Sequence, residues 1–252
     1  MRIVSLSPSS TEVLFAIGAG NEVVAVTHLC DYPLEAQRRE RLGSWLHTQP
    51  DRLAQLKPDL TVTTTFLPPE LKANLDVGEL LHLQPRGLGG VFESIIQLGE
   101  ATGRTQTARE LVQNMHRQLE TLRASAPAHR LTVYCEEWPD PPMIAGNWVP
   151  ELVELAGAMP VGGVHVNPST AVNLDALRAA DPDVMVFHWC SAAQAEADVD
   201  RVRQRQAWQD FRAVKTNALV PIPNSLLNRP GPRLVDGARA LQAAFQRYQR
   251  LR

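Results

Sequence analysis

Apolar residues fall in short blocks along the chain, separated by stretches in which they recur every three to four positions. Ile3–Leu6, Val23–Thr27 and Leu60–Val62 are compact, β-rich blocks, and Leu131–Cys135 and Val184–Val186 repeat the pattern further on. Short apolar runs bounded by turn residues predict buried strands. The stretches Glu12–Ala19 and Glu151–Ala158 have helical spacing and carry Gly18 and Gly157, where a helix end needs left-handed backbone. Strands alternating with helices predict an α/β fold with parallel sheets and right-handed crossovers.

The pattern occurs twice. Glu12–Ala19 resembles Glu151–Ala158, and Leu53–Val62, through Lys57-Pro58-Asp59, resembles Leu177–Val186, through Asp181-Pro182-Asp183. Both halves run strand, helix, strand, helix, Pro-Asp, strand, which favours duplication over chance. Between them a helix over Phe92–Ala101 breaks near Gly103. A second, Thr105–Arg123, carries Leu111, Met115, Leu119 and Leu122 at helical spacing. At 1.5 Å per residue that helix is roughly 30 Å long, a stiff strut; the alternative is a crossover helix of one continuous sheet. The organisation expected is two Rossmann-like α/β lobes, 1–90 and 127–252, joined by a helical linker, 91–126, that contains one long rigid helix.

Composition narrows the partners. The 252 residues leave room for two lobes, each with its own core, and 44% apolar with 21% charged residues is ordinary for a globular protein. A net charge of −2 gives no electrostatic case for nucleic acid or an anionic membrane. The basic tail Arg239, Arg247, Arg250 and Arg252 sits on a helical pattern and reads as a solvated face. No apolar run reaches the ~18 residues of a membrane span. Met1-Arg2 leads straight into the first strand, so a cytoplasmic protein is expected as the sequence stands, and a periplasmic or cell-surface one if Met1 marks a truncated start. Three cysteines, Cys30, Cys135 and Cys190, leave at least one thiol unpaired and slightly favour a reducing compartment.

In open parallel sheets, ligands bind beyond the carboxyl ends of the strands. The segments following the strands are Ser7-Pro8-Ser9, His28 to Pro33, Gly43 to Leu46, Thr64 to Glu70, Glu136 to Pro139, Gly146 to Pro150, His188 to Cys190, and Asn224 to Pro230. Ser9 and Glu12 have capping-box spacing, so Ser9 is expected to cap the first helix. Six aromatics lie in these segments: Tyr32, Trp45, Phe66, Trp138, Trp148 and Trp189. Flat apolar surface of this kind suits a large ring-rich ligand. Two or three of the six are expected to close the sheet ends as core, Trp189 first, and Trp208 is expected in the core.

Reactive chemistry has little support. Neither His28 with Cys30 and Asp31 nor His188 with Cys190 has the spacing of a closed zinc site. A histidine ligating the metal of a bound ligand remains open, His28 foremost. Ser7, Ser9 and Cys190 lack a nucleophile elbow. Glu136 and Glu137 are consecutive strand residues and point to opposite faces. Gly18-Ala19-Gly20 ends a helix, whereas a dinucleotide motif opens one. No catalytic residue, resident cofactor or metal is expected. An enzyme acting on a metal chelate is the competing reading, with His28, Glu136 and Cys190 as its candidates.

Arg2 to Glu12, the Cys30-Asp31-Tyr32-Pro33 turn and Leu56-Lys57-Pro58-Asp59-Leu60 resemble the helical-backbone solute-binding proteins of metal-chelate ABC transporters. Gly146 to Leu152 and Asn228 to Leu234 are similar to the vitamin B12-binding subgroup. The resemblance implies two α/β lobes on one rigid helix and a corrinoid carried as cargo. Ser7, Pro8, Ser9, His28, Tyr32, Trp45, Phe66, Trp138, Trp148, Asn224 and Arg229 are then the candidate ligand contacts. Tyr32 and Trp45 match aromatics that flank corrinoid in similar proteins. An ABC permease is the implied partner, met by Glu70 on the first lobe and by the position of Asn228 on the second, where the family has a glutamate. A monomer is expected. Haem and siderophore binders share the fold, and a cytosolic corrinoid carrier is the alternative to import. Siderophore pockets present arginines, and Arg229 is the one clear arginine after a strand in the second half.

Overall fold

The structure is a computed structural model; it describes residues 1–44, 47–72, 77–126, 130–162, 167–190 and 198–250, with Glu70 and Lys72 described in their backbone alone. The chain forms two compact units. One holds Met1–Pro85, Gly89–Asn114 and Pro230–Pro232; the other holds Arg86–Leu88, Met115–Arg229 and Arg233–Arg252.

In the first unit, β1 (Ile3–Ser5), β2 (Val23–Val26), β3 (Glu40–Arg41), β4 (Leu60–Thr64) and β5 (Glu79–Leu83) form a parallel sheet in the order β3-β2-β1-β4-β5. The central strand β1 is buried along its whole length, Ile3, Val4 and Ser5 alike. Val4, Leu6, Ala25, Leu42, Leu53 and Leu56 share one core cluster, in which each valine or leucine side chain contributes about 1.5–3 kcal/mol when fully buried. α1 (Pro8–Ala16) and α2 (Pro50–Gln55) connect the strands. α1 starts two residues earlier than the capping-box spacing predicts. Ser7 is its N-cap and Pro8 its first helical residue, because proline has no N–H to leave unpaired and a φ already helical. Ser9 therefore lies inside the helix.

α3 (Gly87–Ala101) and α4 (Thr105–Ala124) follow. Gly103, at φ +66°, ends α3 where the sequence predicts a break. A Cβ on Gly99 would collide with the methyl of Ala108, so glycine lets the two helices touch there. On α4, Met115 and Leu119 are buried, whereas Leu111 and Leu122 are half-buried. The helix passes from Asn114 in one unit to Met115 in the other without interruption.

In the second unit, β6 (Thr132–Pro139), β7 (Pro142–Ile144), β8 (Met159–Pro160), β9 (Thr170–Ala171), β10 (Val184–Phe187) and β11 (Leu219–Pro221) form the order β11-β10-β6-β7-β9, with β8 also on β6. This sheet is mixed, a departure from the all-parallel expectation. β6 pairs in parallel with β8 at Thr132–Val133 and antiparallel with β7 beyond Glu136. Proline-rich Asp140-Pro141-Pro142 turns the chain back as a hairpin before the crossover helix α5 (Val149–Leu155) can begin. α6 (Leu174–Ala180), α7 (Asp200–Arg203), α8 (Arg212–Lys215), α9 (Asn224–Leu227) and α10 (Leu234–Gln249) complete the unit. α10 packs its buried Leu234, Val235, Leu241 and Phe245 inward and exposes Arg239, Arg247 and Arg250. Arg252 lies outside the described residues. Among the described residues no helix is long and apolar enough to cross a membrane.

The two halves repeat in hydrogen bonding as well as in order. The Asp59 carboxylate accepts from the backbone N–H of Arg2 (2.6 Å), and the Asp183 carboxylate from that of Thr132 (2.9 Å). Each Pro-Asp thus pins the start of its unit's central strand. Lys57 and Asp181, the residues before the prolines, both adopt positive φ.

Candidate functional site

Parallel pairing brings the carboxyl ends of β1, β2 and β4 to one edge of the first sheet, and with them Ser7, Pro8, Ser9, His28 and Phe66. The Ser7 and Ser9 hydroxyls are 2.8 Å apart, and Ser10 reaches Thr64 at 2.5 Å. The Thr11 hydroxyl lies near Ser5 Oγ (2.9 Å), Ser7 O (3.0 Å) and Cys30 Sγ (3.1 Å). Arg41 donates to the carbonyls of Thr27 (2.6 Å) and Cys30 (2.9 Å), which fixes the loop after β2. On that loop His28 is exposed and Tyr32 is 49% exposed. Phe66 is half-buried. Trp45 lies outside the described residues, and Glu70 is placed on a short turn, Pro69–Lys72, by its backbone.

At the carboxyl edge of the second sheet the organiser is Glu136, which proves to be a structural carboxylate and not the reactive one that its place in the sequence suggests. Its side chain is fully buried and accepts from Tyr134 OH (2.8 Å), Trp189 Nε1 (2.8 Å) and both terminal nitrogens of Arg205 (2.8 Å each). The Arg205 guanidinium stands 4.6 Å over Trp208 and 5.7 Å over Trp189, and donates also to Pro139 O (2.8 Å). Burial pushes the Glu136 carboxyl up; the Arg205, Tyr134 and Trp189 donors pull it back. Glu137 points the other way, as alternation demands, and accepts from Ser169. Arg205, 69 positions from Glu136, has no local signal that pairs it with a strand.

His188 follows β10 and is fully buried. Its Nδ1 is 2.5 Å from Asn228 Oδ1, while Asn228 Nδ2 donates to the His188 carbonyl (3.0 Å). The amide's second bond fixes its oxygen towards the ring, so Nδ1 carries the proton and Nε2 keeps a lone pair without a partner. Burial lowers the His188 pKa, while Glu137 and Asn228 act in the opposite direction. Asn224 donates to Trp189 O (3.1 Å). Trp148 is buried, its indole N–H given to Leu227 O (2.7 Å), and Trp138, 42% exposed, stands at the end of β6. Arg229 is half-buried. Of the six aromatics, Trp148 and Trp189 are core, and Trp208 is core as expected.

Among the described residues no three His, Cys, Asp or Glu side chains stand close enough to hold a metal ion. Burial raises the Cys30 thiol and pushes Cys135 to about 12; Cys190 is exposed, and its thiol is raised by partial desolvation and by Glu137.

A family model described as periplasmic binding protein matches residues 3–226. The chain is 28% identical to an uncharacterized ABC transporter substrate-binding lipoprotein of Bacillus subtilis, over 95% of this chain and 78% of the relative. It is 25% identical to a vitamin B12-binding protein of Vibrio cholerae, over 93% of this chain and 85% of the relative. Among solved structures, a periplasmic haem-binding protein of Vibrio cholerae superposes with a TM-score of 0.82 at 20% identity, covering 96% of this chain and 98% of that one.

Proposed function

We infer the role from one premise: this chain belongs to the periplasmic binding protein family, matched over residues 3–226. It is a solute-binding protein of ABC import, in a family that binds and delivers and does not catalyse. We propose that its cargo is a corrinoid of the vitamin B12 type. The observation that carries this reading is the likeness to a vitamin B12-binding protein along 93% of the chain. It is supported by exposed aromatic surface at Tyr32, on the loop after β2, and at Trp138, which lies within β6 near its end and not after it as the sequence predicts. In this reading Glu70 contacts the permease, and the protein works outside the cytoplasmic membrane.

Haem is the second reading, favoured by the likeness of fold to a haem-binding protein. Calorimetric titration with cyanocobalamin, cobinamide and haem decides between them. Corrinoid heat with none from haem supports the proposal; haem heat alone replaces it, and no heat from a corrinoid at ~100 μM, about 5.5 kcal/mol of binding, sinks it. Fractionation of native cells tests the compartment, and a cytosolic location favours an intracellular corrinoid carrier.

A further inference from the structure

A cavity lies at the amino edge of the first sheet. The parallel crossover from β1 through α1 returns the chain to the start of β2, so the end of α1 and the residues before β3 lie away from Ser7, His28 and Phe66. The cavity, of about 420 Å³, opens there, with Phe15, Gly20, Asn21, Glu35, Arg38 and Arg39 in its lining.

Arg39 is half-buried, with its guanidinium 5.8 Å over the Phe15 ring and Nη2 donated to Gly20 O (3.0 Å). Its Nε is enclosed without a hydrogen-bond partner. Glycine is required at position 20, because a Cβ would lie 2.5 Å from the Phe15 ring beneath that guanidinium. Among the described residues no carboxylate forms an ion pair with Arg38 or Arg39, although Glu35 lines the same cavity. A partly buried charge without a counter-ion is costly, and two guanidiniums against one carboxylate leave the cavity with a net positive charge.

We propose that this cavity binds hydrogen phosphate or the phosphate group of a monoester. Arg38 and Arg39 take the unprotonated oxygens, and Glu35 accepts the remaining P–OH, which inorganic phosphate keeps at neutral pH and which a monoester offers in its monoanion. Sulfate has no proton to offer at neutral pH and sets an oxygen against the Glu35 carboxylate, so the site discriminates between the two anions. The site is independent of the corrinoid reading.

Equilibrium dialysis with labelled inorganic phosphate at fixed ionic strength tests it, with sulfate and glycerol phosphate as competitors. Saturable binding is expected, with sulfate at least about tenfold weaker than phosphate. Arg39→Met lowers phosphate affinity about tenfold or more, as loss of a charge-assisted contact does, and Glu35→Gln removes the preference over sulfate. Displacement by glycerol phosphate assigns an ester as the natural ligand, and its failure assigns the free ion. Absence of saturable binding below about 10 mM, equal competition by sulfate, or unchanged affinity in Arg39→Met overturns the proposal. Arg38→Met, on an exposed side chain, provides the same test should Arg39→Met not fold.

Discussion

Glu136 and Arg205 show how one buried ion pair organises a recognition edge. With four hydrogen bonds to its carboxylate, Glu136 ties β6 to Trp189 after β10 and to the turn that carries Arg205. Removing one partner of such a pair leaves the other buried and uncompensated, which costs about 3–5 kcal/mol. Arg205→Met is therefore expected to lower unfolding stability in urea by that amount, and a loss under about 1 kcal/mol refutes the role. His188 gives a pH dependence with a definite sign. Its pKa is lowered in the folded protein, chiefly by burial, so below the ordinary histidine pKa the unfolded chain binds a proton that the folded one refuses. Stability is complete above that pKa and falls as pH drops towards the folded value, by up to ~1.4 kcal/mol per pH unit. His188→Gln removes this slope; an equally steep acid decline in the variant assigns it elsewhere.

At the scale of elements, glycines on one helix separate propensity from packing. Gly99 on α3 leaves no room for a Cβ against Ala108, whereas a Cβ on Gly89 of the same helix meets nothing within 4 Å. Gly99→Ala is expected to destabilise the protein by about 1–3 kcal/mol through overpacking. Gly89→Ala is expected to stabilise it by about 0.5–1 kcal/mol through helix propensity. Thermal unfolding of both variants checks the opposite signs. The element order was legible in the sequence because each cue is local: an apolar block for a strand, Gly18, Gly103 and Gly157 for helix ends, Pro-Asp before β4 and β10. What was not legible depended on partners distant in the chain. The antiparallel β7 needs β6 to be long enough to pair twice, and Ser9 lost the cap to Ser7 once Pro8 took the first helical position. The burial of Trp189 was readable from its place at a strand end, but the Arg205 guanidinium covering it was not, since nothing near Gln204 or Gln206 marks it as a partner of Glu136.

At the scale of the whole molecule, cargo binding must register as stability. A ligand bound only by the folded state adds about 2.7 kcal/mol at one hundred times its Kd. For a chain of 252 residues that raises the midpoint of thermal unfolding by roughly 5–10 °C. Cyanocobalamin or cobinamide is expected to produce the shift. The aromatic positions divide by burial in what their removal does. Tyr32 is 49% exposed and Trp138 42%, so replacing either by alanine leaves the unliganded midpoint nearly unchanged. If either contacts the corrinoid, its loss weakens binding by about 1–3 kcal/mol and shrinks the ligand-induced shift. Trp45→Ala carries the same expectation for the ligand. Trp148 differs: it is buried with its indole N–H on Leu227 O, so Trp148→Ala lowers the unliganded midpoint through about 3–5 kcal/mol of lost packing. A full ligand-induced shift in Tyr32→Ala, Trp45→Ala and Trp138→Ala alike takes all three out of the site, even where the corrinoid itself still binds.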